Sequence, residues 1–303
     1  MCCMQCMNRH HGCVDLQQLR YVVAVADERS FTRAAERCFV VQSALSHQIK
    51  ALEREIGMQL FARTSRRVEI TSAGEAFVAA ARQSIEAADR AVTEAAAAGG
   101  QVRGTLTIGL IPTVTAIDVP ALLGAFNAKH PRVRIALRQG GSAEFTHAIR
   151  AGMVDVAFLG LKDGDEPPGV AYRELSREAL VAVLPASHAL ASRSRVSLSA
   201  LADEPFVDFP ASSSGRAQTD EAFAVAGLER DVAFEAMSPE LMLDLIRHRL
   251  AIALLPAAVV PEDRSLAVVR VTDAPRRAEY VAWSEFNPSP ATRAFVDAVL
   301  MSE

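Results

Sequence analysis

The sequence lacks the features that mark secreted, membrane-spanning and disulfide-stabilised proteins. Four of its five cysteines lie within the first 13 residues and the fifth is Cys38. No disulfide framework therefore spans the body of the chain, and a reducing cytoplasm is expected. The longest apolar run, residues 250–260, is interrupted by Pro256 and is shorter than the about 20 apolar residues that a membrane helix needs. No secretory signal is recognised either.

A strong excess of basic residues is also missing. Nucleic-acid binders usually contain a basic domain, so the net charge of −4 argues weakly against DNA binding. The charge is uneven, because residues 14–72 carry +2, residues 73–100 carry −2 and residues 101–303 carry −5, and Arg9 supplies the remaining +1. The composition is that of a globular protein, and the length fits about two domains. Contact with nucleic acid is expected only in the first part.

The clearest pattern lies in residues 42–56, where apolar residues recur at i, i+4, i+7 and i+11 along one helical face. The opposite face is polar at its start and cationic further along; it contains Ser43, Ser46, His47, Lys50 and Arg54. Short polar side chains can approach base edges in the major groove, while cations reach phosphates. The same face also fits an ordinary solvated helix.

The flanking segments favour a helix-turn-helix. Ser30 is placed to cap a short helix over residues 31–37, and its alanines permit the close helix contact of that motif. Residues 19–26 supply an apolar stripe for a third helix. Residues 60–71 fit two strands and a turn, with Arg63, Arg66 and Arg67 in or beside the turn. These arginines are expected either to contact phosphate or the minor groove, or to be merely solvated.

Together these segments resemble the winged helix-turn-helix of LysR-type transcriptional regulators. The matching motifs are Asp15-Leu-Gln-Gln-Leu-Arg-Tyr, Ser30-Phe-Thr-Arg-Ala-Ala-Glu-Arg, Ala44-Leu-Ser-His-Gln-Ile, Leu52-Glu, Leu60-Phe-Ala-Arg-Thr and Thr71-Ser-Ala-Gly. The resemblance implies DNA-facing residues Gln42, Ser43, Ser46, His47 and Lys50. It also implies that the DNA backbone is held by Thr32 and Arg33 with the wing arginines Arg63, Arg66 and Arg67.

The chain departs from the family in this region. It has Val41-Gln42-Ser43 where Ser-Gln-Pro is common. Valine cannot cap a helix, and a lost cap costs ~1 kcal/mol. Cys38 replaces a usual aliphatic residue. It is expected to be a small buried hydrophobe, with a redox-sensitive thiol as the alternative.

Residues 72–98 predict one long helix that ends before Gly99-Gly100. Ser72 and Glu75 fit a capping box. Apolar residues at heptad spacing predict a helix–helix dimer contact, which would let two winged domains read two half-sites; they are Val78, Ala81, Ile85, Ala88 and Val92. The alternative is a single helix that lies along its own domain.

Beyond residue 100, short β-like runs alternate with helical stretches, which predicts a parallel sheet covered on both faces. The predicted strands are Leu106–Leu110, Val133–Leu137, Val154–Leu159, Ala179–Leu184, Ala251–Leu255 and Tyr280–Trp283. A helix is predicted to begin near Ile117.

Three clusters of small or hydroxyl residues precede predicted helices in this region; they are Thr113 with Thr115, Gly140-Gly-Ser142, and Ser212-Ser-Ser-Gly-Arg216. Helix starts attract anions. Such clusters are also ordinary helix caps, but three in one α/β domain favour a small polar ligand, and an anion would suit them.

The resemblance extends to Gly152-Met-Val-Asp155-Val-Ala-Phe, to residues 198–207 and to Leu254-Leu-Pro256. It implies a two-lobed domain built like periplasmic binding proteins. The implied effector cleft lies between the lobes, with Thr113, Thr115, Ser142 and Arg216 as candidates. The family often has Gly-Leu-Gly where this chain has Arg249-Leu-Ala251, and a left-handed Arg249 would cost roughly 1–2 kcal/mol. Because no cysteine follows Cys38, a peroxide sensor with a C-terminal thiol pair is excluded.

No motif indicates an enzyme. The histidines form no metal-ligand pattern, and neither a nucleophile elbow, a Walker loop nor a dinucleotide fingerprint occurs. Catalytic residues, metals and cofactors are therefore not expected. The cysteines and histidines of residues 1–13 leave three alternatives: a misplaced start codon with Val14 as the true initiator, a disordered tail, or a zinc or copper site.

These observations predict an α/β protein in four parts. Residues 1–13 form an untranslated or disordered extension. Residues 14–72 form a mainly α winged helix-turn-helix, residues 73–100 a dimerising linker helix, and residues 101–303 a two-lobed α/β effector domain. The predicted function is effector-gated transcriptional regulation. The expected partners are double-stranded promoter DNA, a small-molecule effector, further copies in a homodimer or homotetramer, and RNA polymerase if the protein activates. A solute-binding protein or a nucleoid-type binder would explain only one of the two domains.

Overall fold

The computed structural model describes residues 14–63, 68–99 and 101–302, and it divides into two compact units, Met1–Val92 and Thr93–Glu303. The elements of the N-terminal unit are α1 (Leu16–Glu28), α2 (Phe31–Arg37), α3 (Gln42–Ile56), β1 (Phe61–Arg63), β2 (Val68–Ile70) and α4 (Ser72–Ala98), whose last turns belong to the second unit. The predicted three helices, wing and long helix are confirmed. The metal, start-codon and disorder alternatives for residues 1–13 lie outside the described residues.

Local sequence explains where the first helices start and stop. The Asp15 carboxylate accepts a hydrogen bond from the Gln17 backbone N–H at the start of α1. Ser30 caps α2, as predicted, whereas Val41 makes no side-chain cap bond before α3. Helix α3 ends at Gly57, whose φ of +69° is left-handed and suits glycine. Strands β1 and β2 pair antiparallel.

The capping box predicted for the linker helix is wrong by one residue. Thr71 is the cap of α4, because its Oγ1 accepts a hydrogen bond from the Gly74 N–H at 3.0 Å. The third helical position is then Gly74, and no glutamate can close the box from there. A side chain at Gly74 would place its Cβ 2.2 Å from the Leu60 carbonyl oxygen. Close contact between α4 and the wing therefore requires glycine at this position.

Two of the predicted dimer residues are buried in their own chain. Val78 is 8% and Ala81 is 2% exposed, and both belong to the core formed by α1, α2 and α3. Ile85 packs partly against the same core. The predicted dimer role is therefore wrong for Val78 and Ala81, since their apolar stripe covers the domain to which the helix belongs. Ala88 is half-buried, and the Val92 side chain lies outside the described residues.

In the described residues, the C-terminal unit contains a five-stranded and a four-stranded mixed sheet and a separate two-stranded parallel sheet, rather than the single parallel sheet that was predicted. Its strands are β3 (Gly104–Leu110), β4 (Val133–Gln139), β5 (Val156–Lys162), β6 (Ala171–Ala179), β7 (Val181–Pro185), β8 (Arg195–Val196), β9 (Pro205–Asp208), β10 (Asp231–Glu235), β11 (Ala253–Leu255), β12 (Leu266–Val271) and β13 (Arg276–Trp283). Its helices are α5 (Val119–Lys129), α6 (Ser142–Arg150), α7 (Ser214–Val225), α8 (Pro239–Arg247) and α9 (Pro290–Leu300).

The strand order explains why the parallel prediction fails. The first sheet has the order β4-β3-β5-β13-β6, in which β3 runs parallel to β4 and β5, whereas β13 is antiparallel to both its neighbours. The second sheet has the order β11-β7-β12-β8, and β9 pairs with β10. The chain leaves the first sheet after β6 and returns through β13, so the returning strand is reversed. We call the part built on the first sheet lobe 1 and residues 181–271 lobe 2.

The start of α5 and the conformation of Arg249 are two local features of the C-terminal unit that the sequence analysis considered. Helix α5 starts at Val119 with Asp118 as its cap, close to the predicted start. Arg249 has a φ of +59° and therefore adopts the left-handed conformation. None of the helices in the described ranges is both long and apolar enough to cross a bilayer.

Candidate DNA-binding helix and effector cleft

Helix α3 presents a polar face held in place by a buried one. Leu45, Ile49 and Leu52 have no exposed surface and belong to the N-terminal core. The predicted DNA-facing residues lie on the other side, where Gln42, Ser43, His47 and Lys50 are exposed and Ser46 is half-buried. The predicted amphipathic helix is therefore present, and its buried stripe fixes which side chains face outward.

The side chains that were predicted to contact the DNA backbone differ in their surroundings. Thr32 and Arg33 are both exposed on α2. The Arg33 guanidinium is engaged by Glu28, through a carboxylate oxygen at 3.4 Å and the backbone carbonyl. A phosphate at Arg33 would compete with these bonds. Arg66 and Arg67 lie outside the described residues, as does the side chain of Arg63.

Glu53 is a structural residue whose role the sequence analysis missed. Its carboxylate accepts hydrogen bonds from the backbone N–H groups of Leu60 at 2.9 Å and Phe61 at 3.2 Å. These bonds tie the first wing strand to α3. The Leu52-Glu motif pointed to this position, but only as part of the resemblance.

Cys38 is half-buried and packs against the N-terminal core. Burial raises the pKa of its thiol, against a smaller opposing effect of Arg37. A raised pKa keeps the thiol protonated and unreactive. The packing interpretation is therefore favoured over the redox-sensitive alternative.

A cleft of about 550 Å³, its open mouth included, lies between the two lobes. Its walls are mostly apolar, with polar groups from both lobes; they include Ile111, Thr113, Gly141, Ser142, Leu180, Phe209, Ser213, Ser214, Gly215, Gln218, Met237, Leu254, Pro256 and Arg277. The predicted candidates Thr113 and Ser142 are among them.

Ser142 organises the wall of the cleft. Its hydroxyl donates to the Gly160 carbonyl at 2.9 Å and accepts from the Gly160 N–H at 3.0 Å. The side chain is thereby occupied in fixing the start of α6 against β5. The ligand-facing groups at this point are expected to be backbone N–H groups rather than the hydroxyl.

A buried charge cluster lies at the base of the cleft, and the sequence analysis did not foresee it. Arg277 is 4% exposed and donates to the Thr113 hydroxyl at 2.7 Å, to Glu178 at 2.7 Å and to Glu279 at 3.0 Å. Burial raises the pKa of the Glu279 carboxyl, against the opposing effect of Arg277 and of hydrogen bonds from residues 115–116. The cluster joins β6, β13 and the loop after β3.

Two predicted effector residues do not line the cleft. Thr115 belongs to the charge cluster, where its hydroxyl is within 3.0 Å of both Glu178 and Glu279. Arg216 pairs with Asp220 at 2.9 Å and Glu235 at 3.2 Å. Their assignment to the effector site is therefore corrected, because protein groups already occupy both side chains. The predicted cluster at the start of α7 does line the cleft through Ser213, Ser214 and Gly215. Gln218, further along the same helix, lines it as well.

A winged helix-turn-helix followed by a long helix and a two-lobed domain with a central cleft defines a ligand-responsive DNA-binding protein. Residues 16–75 match the family model described as bacterial regulatory helix-turn-helix protein, lysR family, and residues 99–302 match the LysR substrate binding domain. The chain belongs to the LysR family of DNA-binding transcriptional regulators, with a C-terminal effector-binding domain.

Similar proteins match along most of the chain. The hydrogen peroxide-inducible genes activator of Pectobacterium carotovorum is 32% identical over 83% of this chain and 82% of its own length. The Hca operon transcriptional activator HcaR of Escherichia coli is 31% identical over 94% of this chain and 97% of its own. Full-length OxyR from Pseudomonas aeruginosa aligns with a TM-score of 0.76 at 25% identity, covering 97% of each chain. CbnR in complex with its target DNA aligns with a TM-score of 0.65 at 26% identity, covering 96% of this chain and all of that one.

Proposed function

We propose that the protein regulates transcription by reading promoter DNA with α3 and by responding to a small molecule in the interlobe cleft. The observation that supports DNA binding is the orientation of α3, in which Leu45, Ile49 and Leu52 have no exposed surface. Gln42, Ser43, Ser46 and His47 then approach base edges, and Lys50 approaches a phosphate. The winged domain carries little net charge, so affinity rests on these placed groups and on pairing of two domains.

Footprinting on the DNA upstream of the protein's own gene tests this proposal. Once a site is found, Lys50→Ala is expected to weaken binding to all sequences and to lower the salt slope by about 1. Gln42→Ala is expected to change base preference. The matched control is Lys129→Ala, which removes an exposed lysine of α5 in the other unit. Equal effects of the two lysine variants, or no protected site on any promoter, would reject the proposal.

The cleft is the proposed effector site. Several relatives carry the name hydrogen peroxide-inducible genes activator. This chain has no cysteine after Cys38, so a thiol pair in the effector domain cannot serve as its sensor. A ligand that contacts both lobes would instead favour a closed arrangement of them. The protein would then act as a cytoplasmic regulator without catalytic activity.

We propose that two copies pair along the side of α4 that faces away from its own core. Ala80, Ala87 and Ala91 are exposed there, and small side chains allow close approach of two helices. Pairing would present two winged domains to two half-sites, and an activating complex would also contact RNA polymerase. Ala87→Glu is expected to lower the mass measured by light scattering, whereas Ala128→Glu on α5 should not.

A further inference from the structure

Gln218 is a polar residue of the cleft without a protein partner. It lies on α7, is 5% exposed and lines the cleft. Its side-chain amide forms no hydrogen bond with any other described residue. The amide therefore faces the open cleft, and a ligand that fills the cleft can accept a hydrogen bond from it.

Two helix starts open onto the same space. Gly141 is the cap and Ser142 the first residue of the nine-residue α6, and Ser214 and Gly215 begin the twelve-residue α7. First-turn backbone N–H groups have no partners within their helix and carry partial positive charge. The Ser213 hydroxyl already accepts from the Arg216 N–H, so the N–H groups of Ser214 and Gly215 remain for a ligand. Together with Gln218, they place three donors along the first turns of α7.

The charge at the base of the cleft limits how much negative charge a ligand can carry. Arg277 is the only charged side chain among the described cleft residues. Its charge is offset by Glu178 and Glu279 at 2.7 and 3.0 Å. The Nη1 group has two protons, and one of them is used by Thr113. Two carboxylates face one guanidinium, so the base of the cleft adds no positive charge. Only the first-turn N–H groups and the Gln218 amide favour an anion, which suits one carboxylate and does not suit a dianion.

The remaining walls are apolar. Ile111 and Pro112 line the cleft from lobe 1, and Phe209, Met237 and Leu254 line it from lobe 2. We infer that the effector is a monocarboxylate with an apolar body, whose carboxylate accepts from the Gln218 amide and the first N–H groups of α7. This inference rests on the proposed effector-gated function and adds the chemical class of the ligand.

Calorimetric titration of the full chain with matched probes tests the inference. Benzoate and hexanoate supply one carboxylate and an apolar body. Benzamide and hexanamide lack the charge, adipate adds a second carboxylate to the hexanoate skeleton, and inorganic phosphate lacks the apolar body. We expect at least one monocarboxylate to bind at least tenfold more tightly than its amide, adipate or phosphate. Equal affinities, preference for adipate or phosphate, or no binding by any probe would overturn the inference.

Variants of Gln218 test whether the monocarboxylate binds in the cleft. Gln218→Leu removes the amide and is expected to weaken monocarboxylate binding at least tenfold. Gln218→Glu keeps the size, so it covers the case in which the leucine variant does not fold, and its charge should repel the carboxylate. Gln48→Leu, an exposed position on α3, is the matched control and should bind as the wild type does. Unchanged affinity in a folded Gln218 variant would refute the assignment.

DNA footprinting of the same preparations separates the two possible failures. A protein that protects promoter DNA but binds no monocarboxylate would overturn only the ligand class. A protein that protects no DNA would instead overturn the proposed regulatory function.

Discussion

Replacing Arg249 by glycine should make the effector domain more stable, although it deletes a whole side chain. Arg249 follows α8 with a φ of +59° and is exposed. A non-glycine residue in the left-handed region costs about 1–2 kcal/mol. Glycine removes that strain but gives the unfolded chain more freedom, which offsets about 0.4–1 kcal/mol. The expected net gain in the free energy of unfolding is about 0.5–1 kcal/mol.

The single tryptophan makes this gain measurable in the intact protein. Trp283 lies in β13 and packs against the core of lobe 1, so its fluorescence reports unfolding of the effector domain alone. For a domain of this size, 1 kcal/mol shifts Tm by about 2–4 °C. Arg249→Gly is therefore expected to raise Tm by about 1–4 °C and to raise the urea midpoint in parallel.

The matched control is Arg193→Gly. Arg193 is also exposed, and its φ is not positive, so glycine there relieves no strain. The control should lower the free energy of unfolding by about 0.4–1 kcal/mol, with the same loss of one positive charge. If both variants destabilise equally, the left-handed conformation of Arg249 is not strained and the reasoning fails.

Two further substitutions test individual carboxylates. Glu53→Ala removes the acceptor of the Leu60 and Phe61 N–H groups, so we expect a loss of about 1–3 kcal/mol in the N-terminal unit and weaker DNA binding, measured by circular dichroism and by titration. Hydrogen bonds from Ser265 lower the pKa of Asp263 from 3.8 to about 2. Its stabilisation is therefore complete above about pH 4 and is lost as the pH falls toward 2. Asp263→Asn should flatten this acid dependence in Trp283 fluorescence.

Each of these variants has a control at an exposed residue of the same type. Glu55→Ala removes an exposed carboxylate from the same helix and should leave both readouts unchanged. Asp231→Asn removes an exposed carboxylate of β10 and should keep the acid dependence of the wild type. An Asp263 variant that loses stability at low pH as steeply as the wild type would contradict the assigned role of that carboxylate.

The winged domain could be predicted closely because its determinants are local. The α3 stripe, the Ser30 cap and the missing cap at Val41 are set by residues within a few positions of each other. For the linker helix, local sequence does not determine which surface the apolar stripe covers. A heptad stripe is equally suited to a second copy and to the helix's own domain, and the burial of Val78 and Ala81 depends on α1 to α3 rather than on α4.

The position of the cleft was predicted, but several of the residues that line it were not. Thr113 lies in the loop before α5 and Ser142 is the first residue of α6, and this local pattern identified them. Arg277 lies 164 positions from Thr113 and meets it only because β13 returns beside the first lobe. Gln218 lies inside a helix, where a glutamine is unremarkable in sequence. The choice between Arg216 and Gln218 depends on which side of α7 faces the cleft, and Asp220 and Glu235 draw Arg216 away from it.

The reversed strand of lobe 1 makes lobe 2 an insertion. Ala179, the last residue of β6, pairs directly with Arg276, the first residue of β13. The chain thus leaves and re-enters lobe 1 at adjacent points, as it would through the loop of an ordinary β-hairpin. All strand pairs of the first sheet are formed by residues outside lobe 2. One wall of the cleft can therefore be exchanged or redesigned as a cassette, while the hairpin that receives it stays the same.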